Sequence, residues 1–214
     1  MRLIGKRPSD GNPNVCSSCQ ENLVRHRGGA EVDGAMLFAD IRGSTALAEQ
    51  MSPTDFRDVL DRFYRVASQA VFEHDGAVDK FVGDELVAMF YQSLAGERYV
   101  RRAIGAAGAI LRATGHATRD GPWVPVGAGL TSGTVWFGAV GEGTHVELTA
   151  LGDTVNVAAR LAASASAGEV LVTLDAAAAA GLDGGLERRM LELKGKRQPT
   201  EVVVLGVDSA AADG

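Results

Sequence analysis

The sequence predicts an α+β fold of the ferredoxin-like palm type, in which one antiparallel sheet carries helices on one face. Short apolar runs typical of buried strands and longer amphipathic stretches follow one another in the order β-α-β-β-α-β, with further strands after this core. The 214 residues are 46% hydrophobic, and no internal repeat is visible. This composition suits one globular domain with a single core.

Each predicted element rests on a local pattern. The strands are short apolar runs bounded by Gly, Ser or Asp, whereas the helices have apolar residues at helical spacing. In chain order the elements are a strand at 35–40, helices at 43–50 and 52–76, two strands about a turn at Gly83 and Asp84, a helix at 94–117, two strands about a turn at Ser132 and Gly133, a strand at 145–153, a helix at 153–165, a strand at 169–173, a short helix in the alanine run and two strands within 188–207.

The long helix in the first half has the clearest end signals. Ser52 is a good N-cap, Pro53 fits the first helical position and Gly76 ends the helix. The helix at 94–117 is rich in Ala and Gly, which indicates close packing against a neighbour. Asp153 is predicted to cap the helix that follows it.

The first 30 residues differ in composition from the rest. They predict a loop or extended arm, followed by a folded domain at 31–208 and a disordered tail at 209–214. Cys16 and Cys19 in the arm have the C-x-x-C spacing of half a Zn²⁺ or iron–sulfur site. A two-fold dimer could supply the second pair of ligands, and two reduced cysteines in a flexible arm are the alternative.

Charge and hydropathy argue against three classes of protein: nucleic-acid-binding, membrane-spanning and secreted. The net charge of −6 argues against a nucleic-acid-binding surface as the main function. No apolar run approaches the roughly 20 residues needed to span a bilayer, and no apolar segment of a secretory signal follows the first ten residues. Two cysteines in the whole chain indicate a reducing compartment. We therefore expect a cytoplasmic protein without a nucleic-acid partner.

Two aspartates occur at the ends of predicted neighbouring strands. Asp40 ends the first strand, and Asp84 lies in the next hairpin. In a palm these strands are central neighbours, so the two carboxylates can converge. Two hard oxygen ligands at a sheet edge suit Mg²⁺ or Mn²⁺, and paired metals assist phosphoryl transfer. From these residues alone, a pair of aspartates that cap nearby amides is the alternative.

Five separated motifs extend this interpretation. They are "LFADIRGST", "DKFVGDELVAMF", "GLTSGTVWFGAVG", "LTALGDTVNVAARL" and "LELKGKRQPTEVVVL". In this order and spacing they resemble the class III nucleotidyl cyclases, the family of the adenylate and guanylate cyclase catalytic domain. The resemblance covers residues 34–207 and implies the class III cyclase fold. It also implies that Asp40 and Asp84, with the backbone carbonyl of Ile41, bind two Mg²⁺ or Mn²⁺ ions in each active site.

The resemblance implies a second group of site residues. Lys80 and Thr149 match the pair that reads the purine, and Asn156 matches the asparagine that positions the ribose. Arg160 matches the arginine that stabilises the transition state. Lys194 matches the lysine on the terminal phosphates, and the adjacent basic residues of the "LKGKR" stretch are alternatives. The family pattern implies a homodimer with two interfacial sites, in which one subunit supplies the aspartates and the other supplies this group.

The base-reading pair favours adenine. A lysine can only donate hydrogen bonds, so Lys80 suits N1 of adenine, and the Thr149 hydroxyl can accept from the exocyclic amine. Guanine reverses both edges, which would leave two donors opposed at a cost of a few kcal/mol. The expected function is therefore an adenylate cyclase that converts ATP to 3′,5′-cyclic AMP and pyrophosphate. A guanylate or dual-specificity cyclase, or a catalytically weak regulatory module on the same fold, is the alternative. A diguanylate cyclase is disfavoured because "VGDEL" lacks the "GGDEF" pattern.

Overall fold

A computed structural model describes residues 9, 12–26, 28–142, 145–182, 184–196 and 198–211. The strands are β1 (Gly29–Ile41), β2 (Ala77–Val82), β3 (Glu85–Tyr91), β4 (Val126–Glu142), β5 (His145–Leu151), β6 (Val170–Thr173), β7 (Arg188–Leu191) and β8 (Thr200–Leu205). The helices are α1 (Ser17–His26), α2 (Ser44–Gln50), α3 (Pro53–Glu73), α4 (Gln92–Ala95), α5 (Tyr99–Ala113), α6 (Asp153–Ser164) and α7 (Leu174–Ala179).

The described strands join one sheet in the order β2-β3-β1-β4-β6-β8-β7, and β5 pairs with β4. β1 runs antiparallel to both β3 and β4, whereas β4 and β6 run parallel. The segment β1-α3-β2-β3-α5-β4 therefore has the ferredoxin-like connection and strand order. The predicted α+β palm is confirmed.

The second half of the central strand β1, residues 34–39, is buried on both faces, which explains its continuous apolar sequence. Leu37 and Ala39 face the main core, where α3, α5 and α7 pack. Met36 and Phe38 face a second, smaller core on the other side of the sheet.

The prediction that all helices lie on one face is wrong, because α6 packs into the second core. Ala158 and Ala162 of this helix lie against the sheet beside Met36. The approach is close because Gly129 of β4 has no side chain. A Cβ atom at Gly129 would lie 2.2 Å from the amide nitrogen of Ala162.

The predicted turn at Ser132 and Gly133 is also wrong. β4 continues through both residues as one strand of 17 residues. Its pairing with β1 is unbroken from Gly29 opposite Gly138 to Ile41 opposite Val126. Long-range ladder hydrogen bonds therefore override the local turn preference of a Ser-Gly pair.

The ends of several helices differ from their predicted positions, and others agree. Ser52 caps α3 as predicted, since its side chain accepts a hydrogen bond from the Asp55 amide at 3.1 Å. Asp153 is not the cap of α6: Gly152 takes the N-cap position, and Asp153 lies in the first turn. The single helix predicted at 94–117 is interrupted at Gly96, with φ of 70°, and forms α4 and α5.

Both predicted irregular termini contain regular structure. Residues 17–26 of the arm form helix α1 rather than a loop. In the predicted tail, Ser209–Ala211 form a short 3-10 helix, and Ala210 is buried against Gly108 of α5. The domain boundaries at 30 and 208 stay predictions. Across the described residues, no helix combines the length and apolar character needed to cross a bilayer.

Candidate active site

The register of β1 and β3 places the two predicted metal-binding aspartates at one end of the sheet. Asp40 is directly opposite Glu85, the first residue of β3. Asp84 precedes Glu85 in the turn after β2. The Tyr64 hydroxyl donates a hydrogen bond to the Gly83 carbonyl and ties this turn to α3.

Arg42 connects the Asp40 carboxylate to the end of α6. Its guanidinium forms an ion pair with Asp40 and donates to the carbonyls of Ala163 at 3.1 Å and Ala165 at 3.4 Å. Burial lowers the pKa of Arg42, although the nearby Asp84 charge acts in the opposite direction. Arg42 is not among the site residues predicted from the sequence. Its position two residues after Asp40, in the same motif, is the signal that could have identified it.

The donor set at this end fits a divalent cation. The carboxylates of Asp40 and Asp84 and the Ile41 carbonyl are hard oxygen ligands of the kind that Mg²⁺ and Mn²⁺ prefer. Burial raises the pKa of neighbouring Glu85, and the Asp84 charge adds to the effect. Among the described side chains, no cluster of three or more His, Cys, Asp or Glu is arranged to hold a metal. Magnesium sites often combine one or two carboxylates with substrate phosphates and water, which is the arrangement these residues allow.

The predicted base-reading residues lie on β2 and β5. Lys80 forms an ion pair with Glu147, with 2.8 Å between Nζ and Oε2. The Thr149 hydroxyl donates to the Asp79 carboxylate at 2.9 Å. The structure therefore brings Lys80 and Thr149 together through two acidic neighbours that the sequence analysis did not identify.

β2 contains a β-bulge at the residues that make these contacts. Val78 is paired with Ala88 and Lys80 with Val87, so Asp79 is the extra residue. Such bulges redirect side chains and occur next to active sites. The sequence signal was two consecutive polar residues, Asp79 and Lys80, which break the alternation of a strand.

Asp79 is in an unusual environment for a carboxylate. Burial raises its pKa, and the hydrogen bond from Thr149 acts in the opposite direction. Its other oxygen, Oδ1, is buried and has no hydrogen-bond partner among the described residues. Thr149 is only 9% exposed. The pair is therefore largely withdrawn from solvent.

Asn156 and Arg160 lie four residues apart on α6, so they share a helix face as predicted. Asn156 is exposed and Arg160 is half-buried. The guanidinium of Arg160 packs against Gly195 in the loop between β7 and β8, with Nη2 only 3.3 Å from the position of a Cβ atom there. Gly195 thus leaves room for the arginine.

The same loop holds the predicted phosphate-binding lysine. Lys194 is exposed, whereas Lys196 forms an ion pair with Asp153 in the first turn of α6. Arg197, another candidate, lies outside the described residues. A cleft of about 700 Å³ lies between α6 and this loop, and Asp153 and Lys196 line it.

In the described part of the chain, no hydrogen bond or ion pair joins Asp40 or Asp84 to Asn156, Arg160 or Lys194.

The expectation of a metal at the cysteine pair receives no support. Cys16 is buried, with its sulfur 3.3 Å from the Ser18 hydroxyl. The side chain of Cys19 lies outside the described residues. Nothing among the described side chains forms a cluster of metal ligands around Cys16.

Comparison with known proteins identifies the family. The family model described as the adenylate and guanylate cyclase catalytic domain matches residues 30–206. An uncharacterised protein of Mycobacterium tuberculosis is 31% identical over 182 residues, which cover 83% of this chain and 34% of that protein. Adenylate cyclase 1 of Rhizobium meliloti is 35% identical over 130 residues, which cover 58% of this chain and 20% of that protein. The chain thus spans about a third or less of the length of these relatives.

A solved structure agrees at the level of the fold. The guanylyl cyclase Cya2 superimposes with a TM-score of 0.75 at 21% identity, covering 83% of this chain and 93% of that chain. The match to the family model extends over most of the chain and includes all five motifs. This chain therefore belongs to the family of class III adenylate and guanylate cyclase catalytic domains.

Proposed function

We propose that this chain is an adenylate cyclase, which converts ATP to 3′,5′-cyclic AMP and pyrophosphate in a site shared across a homodimer. The observation that carries the choice of ATP is the arrangement of Lys80 and Thr149 on adjacent parts of β2 and β5. The lysine offers only donors, and the hydroxyl of Thr149 already donates to Asp79. Their polarity matches N1 and the exocyclic amine of adenine. The name of the Rhizobium meliloti relative agrees with this choice.

In the proposed reaction, the ribose 3′-hydroxyl attacks the α-phosphorus and pyrophosphate leaves. Asp40, Asp84 and the Ile41 carbonyl would hold the two Mg²⁺ or Mn²⁺ ions. Such ions, when bound, lower the pKa of a coordinated hydroxyl and offset phosphate charge. Arg42 compensates the Asp40 charge in the structure described here, and we expect it to yield that carboxylate to the cation.

The remaining residues would act on the nucleotide from the partner subunit. Asn156 orients the ribose, and Arg160 donates to the charge that grows on the phosphoryl oxygens. Because the two residues share a face of α6, both can reach one nucleotide. Lys194, exposed in its loop, would bind the terminal phosphates and the leaving pyrophosphate.

Exposed apolar side chains next to both halves of the proposed site support a dimer. Val82, beside the turn that holds Asp84, is 56% exposed. Leu151, two residues before the start of α6, is 47% exposed. A two-fold interface that joins the aspartate end of one subunit to α6 of the other would cover such side chains.

The direct test is to identify the cyclic product. Purified protein is incubated with Mn²⁺ or Mg²⁺ and an equimolar mixture of ATP and GTP, and the products are separated, identified and quantified by mass spectrometry. We expect cyclic AMP to dominate. Cyclic GMP as the main product would support the guanylate cyclase alternative, and no product under any condition would support the regulatory module.

The metal assignment is tested in the same assay. Asp40→Ala and Asp84→Ala should each reduce turnover about a thousandfold or more, because a metal ligand contributes several kcal/mol to the transition state. Asp58→Ala, which removes an exposed carboxylate of α3, is the matched control and should keep normal turnover. Near-normal turnover of either site variant at saturating Mn²⁺ would contradict the assignment.

A further inference from the structure

We infer that Asp79 is a positioning residue that fixes the Thr149 hydroxyl as a hydrogen-bond acceptor and thereby sets the preference for ATP over GTP. The inference rests on the proposed function and concerns how the same site distinguishes the two bases. The role assigned to Asp79 acts through Thr149 rather than on the base directly.

The geometry defines where the hydroxyl proton of Thr149 lies. The distance from Thr149 Oγ1 to Asp79 Oδ2 is 2.9 Å. An ionised carboxylate can only accept, whereas a hydroxyl has one proton and two lone pairs. The proton of Thr149 is therefore committed to Asp79. Only lone pairs remain to face a base.

An unconstrained threonine would discriminate poorly. Its hydroxyl could rotate to accept from the amine of adenine or to donate to O6 of guanine. Once the proton is held by Asp79, guanine O6 would meet lone pairs at a side chain that is only 9% exposed. Two opposed acceptors in a site with little water are costly, so guanine is rejected.

The position of Asp79 is unusual for a purely structural residue. It is the extra residue of the bulge, so it contributes no paired position to the ladder of β2 and β3. Its Oδ1 is buried without a hydrogen-bond partner among the described residues. Burial of a partly satisfied carboxylate is unfavourable, and orientation of Thr149 is a role that would justify it.

Two substitutions test the inference. Asp79→Asn keeps the size of the side chain, and its amide can donate to Thr149 and release the hydroxyl proton toward the base. Asp79→Ala leaves the hydroxyl free to rotate. In both variants we expect the ratio of kcat/KM for ATP to that for GTP to fall by about tenfold, partly because use of GTP rises. A ratio unchanged in both variants would overturn the inference.

A double-mutant cycle separates orientation from structural support. In a Thr149→Val background there is no hydroxyl to orient, so adding Asp79→Asn should leave the ATP-to-GTP ratio unchanged. If Asp79 only ties β2 to β5, its substitution would lower the melting temperature and the use of both nucleotides equally. A further change in the ratio within the valine background would also contradict the inference.

The chain offers a matched control pair. The Thr134 hydroxyl donates to the Asp33 carboxylate at 2.9 Å, between β4 and β1. Asp33→Asn therefore makes the same change to a threonine–carboxylate contact away from the base-reading pair, and it should leave the ratio at the wild-type value. An equal fall in the ratio for this control would show that the effect is general rather than specific to Asp79.

Binding measurements distinguish failure of the inference from failure of the proposed function. Calorimetric titration with 3′-deoxy-ATP and 3′-deoxy-GTP reports base preference without turnover, since neither analogue can cyclise. If the wild type prefers the adenine analogue and both Asp79 variants retain that preference, only the inference fails. A wild type that prefers the guanine analogue would overturn both the inference and the proposed function.

Discussion

At the scale of single residues, three charged side chains in or beside the candidate site form ion pairs within the chain. Lys80 is paired with Glu147, Asp40 with Arg42 and Lys196 with Asp153. The side chains of Lys80, Asp40, Arg42 and Lys196 are 20–30% exposed, whereas those of Glu147 and Asp153 are 61% and 71% exposed. Charge-assisted hydrogen bonds of this kind orient the side chains, and we expect a bound cation or nucleotide to replace these partners.

A reversal of the base-reading polarity should change the preferred nucleotide. We expect Lys80→Glu combined with Thr149→Cys, in an Asp79→Asn background that no longer commits the thiol proton to a carboxylate, to weaken the use of ATP and raise the use of GTP, because both hydrogen-bond directions at the base are then reversed. The new carboxylate would face Glu147, so a version that also contains Glu147→Gln removes this repulsion. The measurement is kcat/KM for both nucleotides.

The control is another reversal of charge in an exposed ion pair. Arg188 lies 3.5 Å from Glu201 on β7 and β8, and Arg188→Glu should leave the ratio unchanged. Retention of the wild-type ratio by the variants at positions 80 and 149 would show that these residues do not read the base.

At the scale of elements, the position of α6 depends on one glycine. Asn156 and Arg160 are on this helix, and its inner face lies on Gly129 of β4. The nearest atoms to a Cβ at Gly129 belong to the helix backbone, which cannot move without displacing the helix. The positions of the two proposed catalytic residues therefore depend on the close packing of α6 against β4.

Gly129→Ala should destabilise the domain. Its Cβ would lie 2.2 Å from the Ala162 nitrogen and 2.4 Å from the Ala158 carbonyl oxygen, and overpacking of this kind typically costs about 1–3 kcal/mol. We expect a lower melting temperature and a larger fall in cyclase activity than the stability loss alone explains. Gly34→Ala is the control, since the nearest atom there is 3.4 Å away. Equal melting temperatures for both variants would contradict this account of the packing.

The sequence was informative where local patterns decide the structure. Ser52 and Pro53 define the start of α3, and the motif spacing placed Lys80 on a hairpin strand and Arg160 on a helix. It was misleading at Gly133, where pairing with β1 decides the conformation. The contacts of Asp79 and Glu147 depend on a bulge and on the pairing of distant strands, so single-residue preferences could not reveal them.

At the scale of the whole molecule, the shared site can be tested by complementation. Asp40→Ala and Arg160→Ala should each be inactive, because each removes an essential residue from both sites of a homodimer. In a mixed dimer, one site takes its aspartates from the Arg160 variant and its arginine from the Asp40 variant, so it is intact. Random exchange makes about half the dimers mixed, and activity should recover to roughly a quarter of wild type.

Two controls test whether the recovered activity comes from mixed dimers. A mixture of Asp40→Ala and Asp84→Ala should stay inactive, because both defects lie in the same half of the site. Dilution of the active mixture should lower its activity, since the working site depends on association. An inactive Asp40 and Arg160 mixture, despite demonstrated subunit exchange, would indicate a site built within one chain.

The bulge in β2 has a consequence for how the gene can diverge. Val78 and Lys80 are each in register with β3 without any contribution from Asp79. A substitution at residue 79 should therefore leave the Gly83 turn and the position of Asp84 unchanged. If the proposed roles hold, a change of residue 79 would alter the nucleotide preference while Asp40 and Asp84 keep their positions, so specificity and catalysis could evolve at different rates.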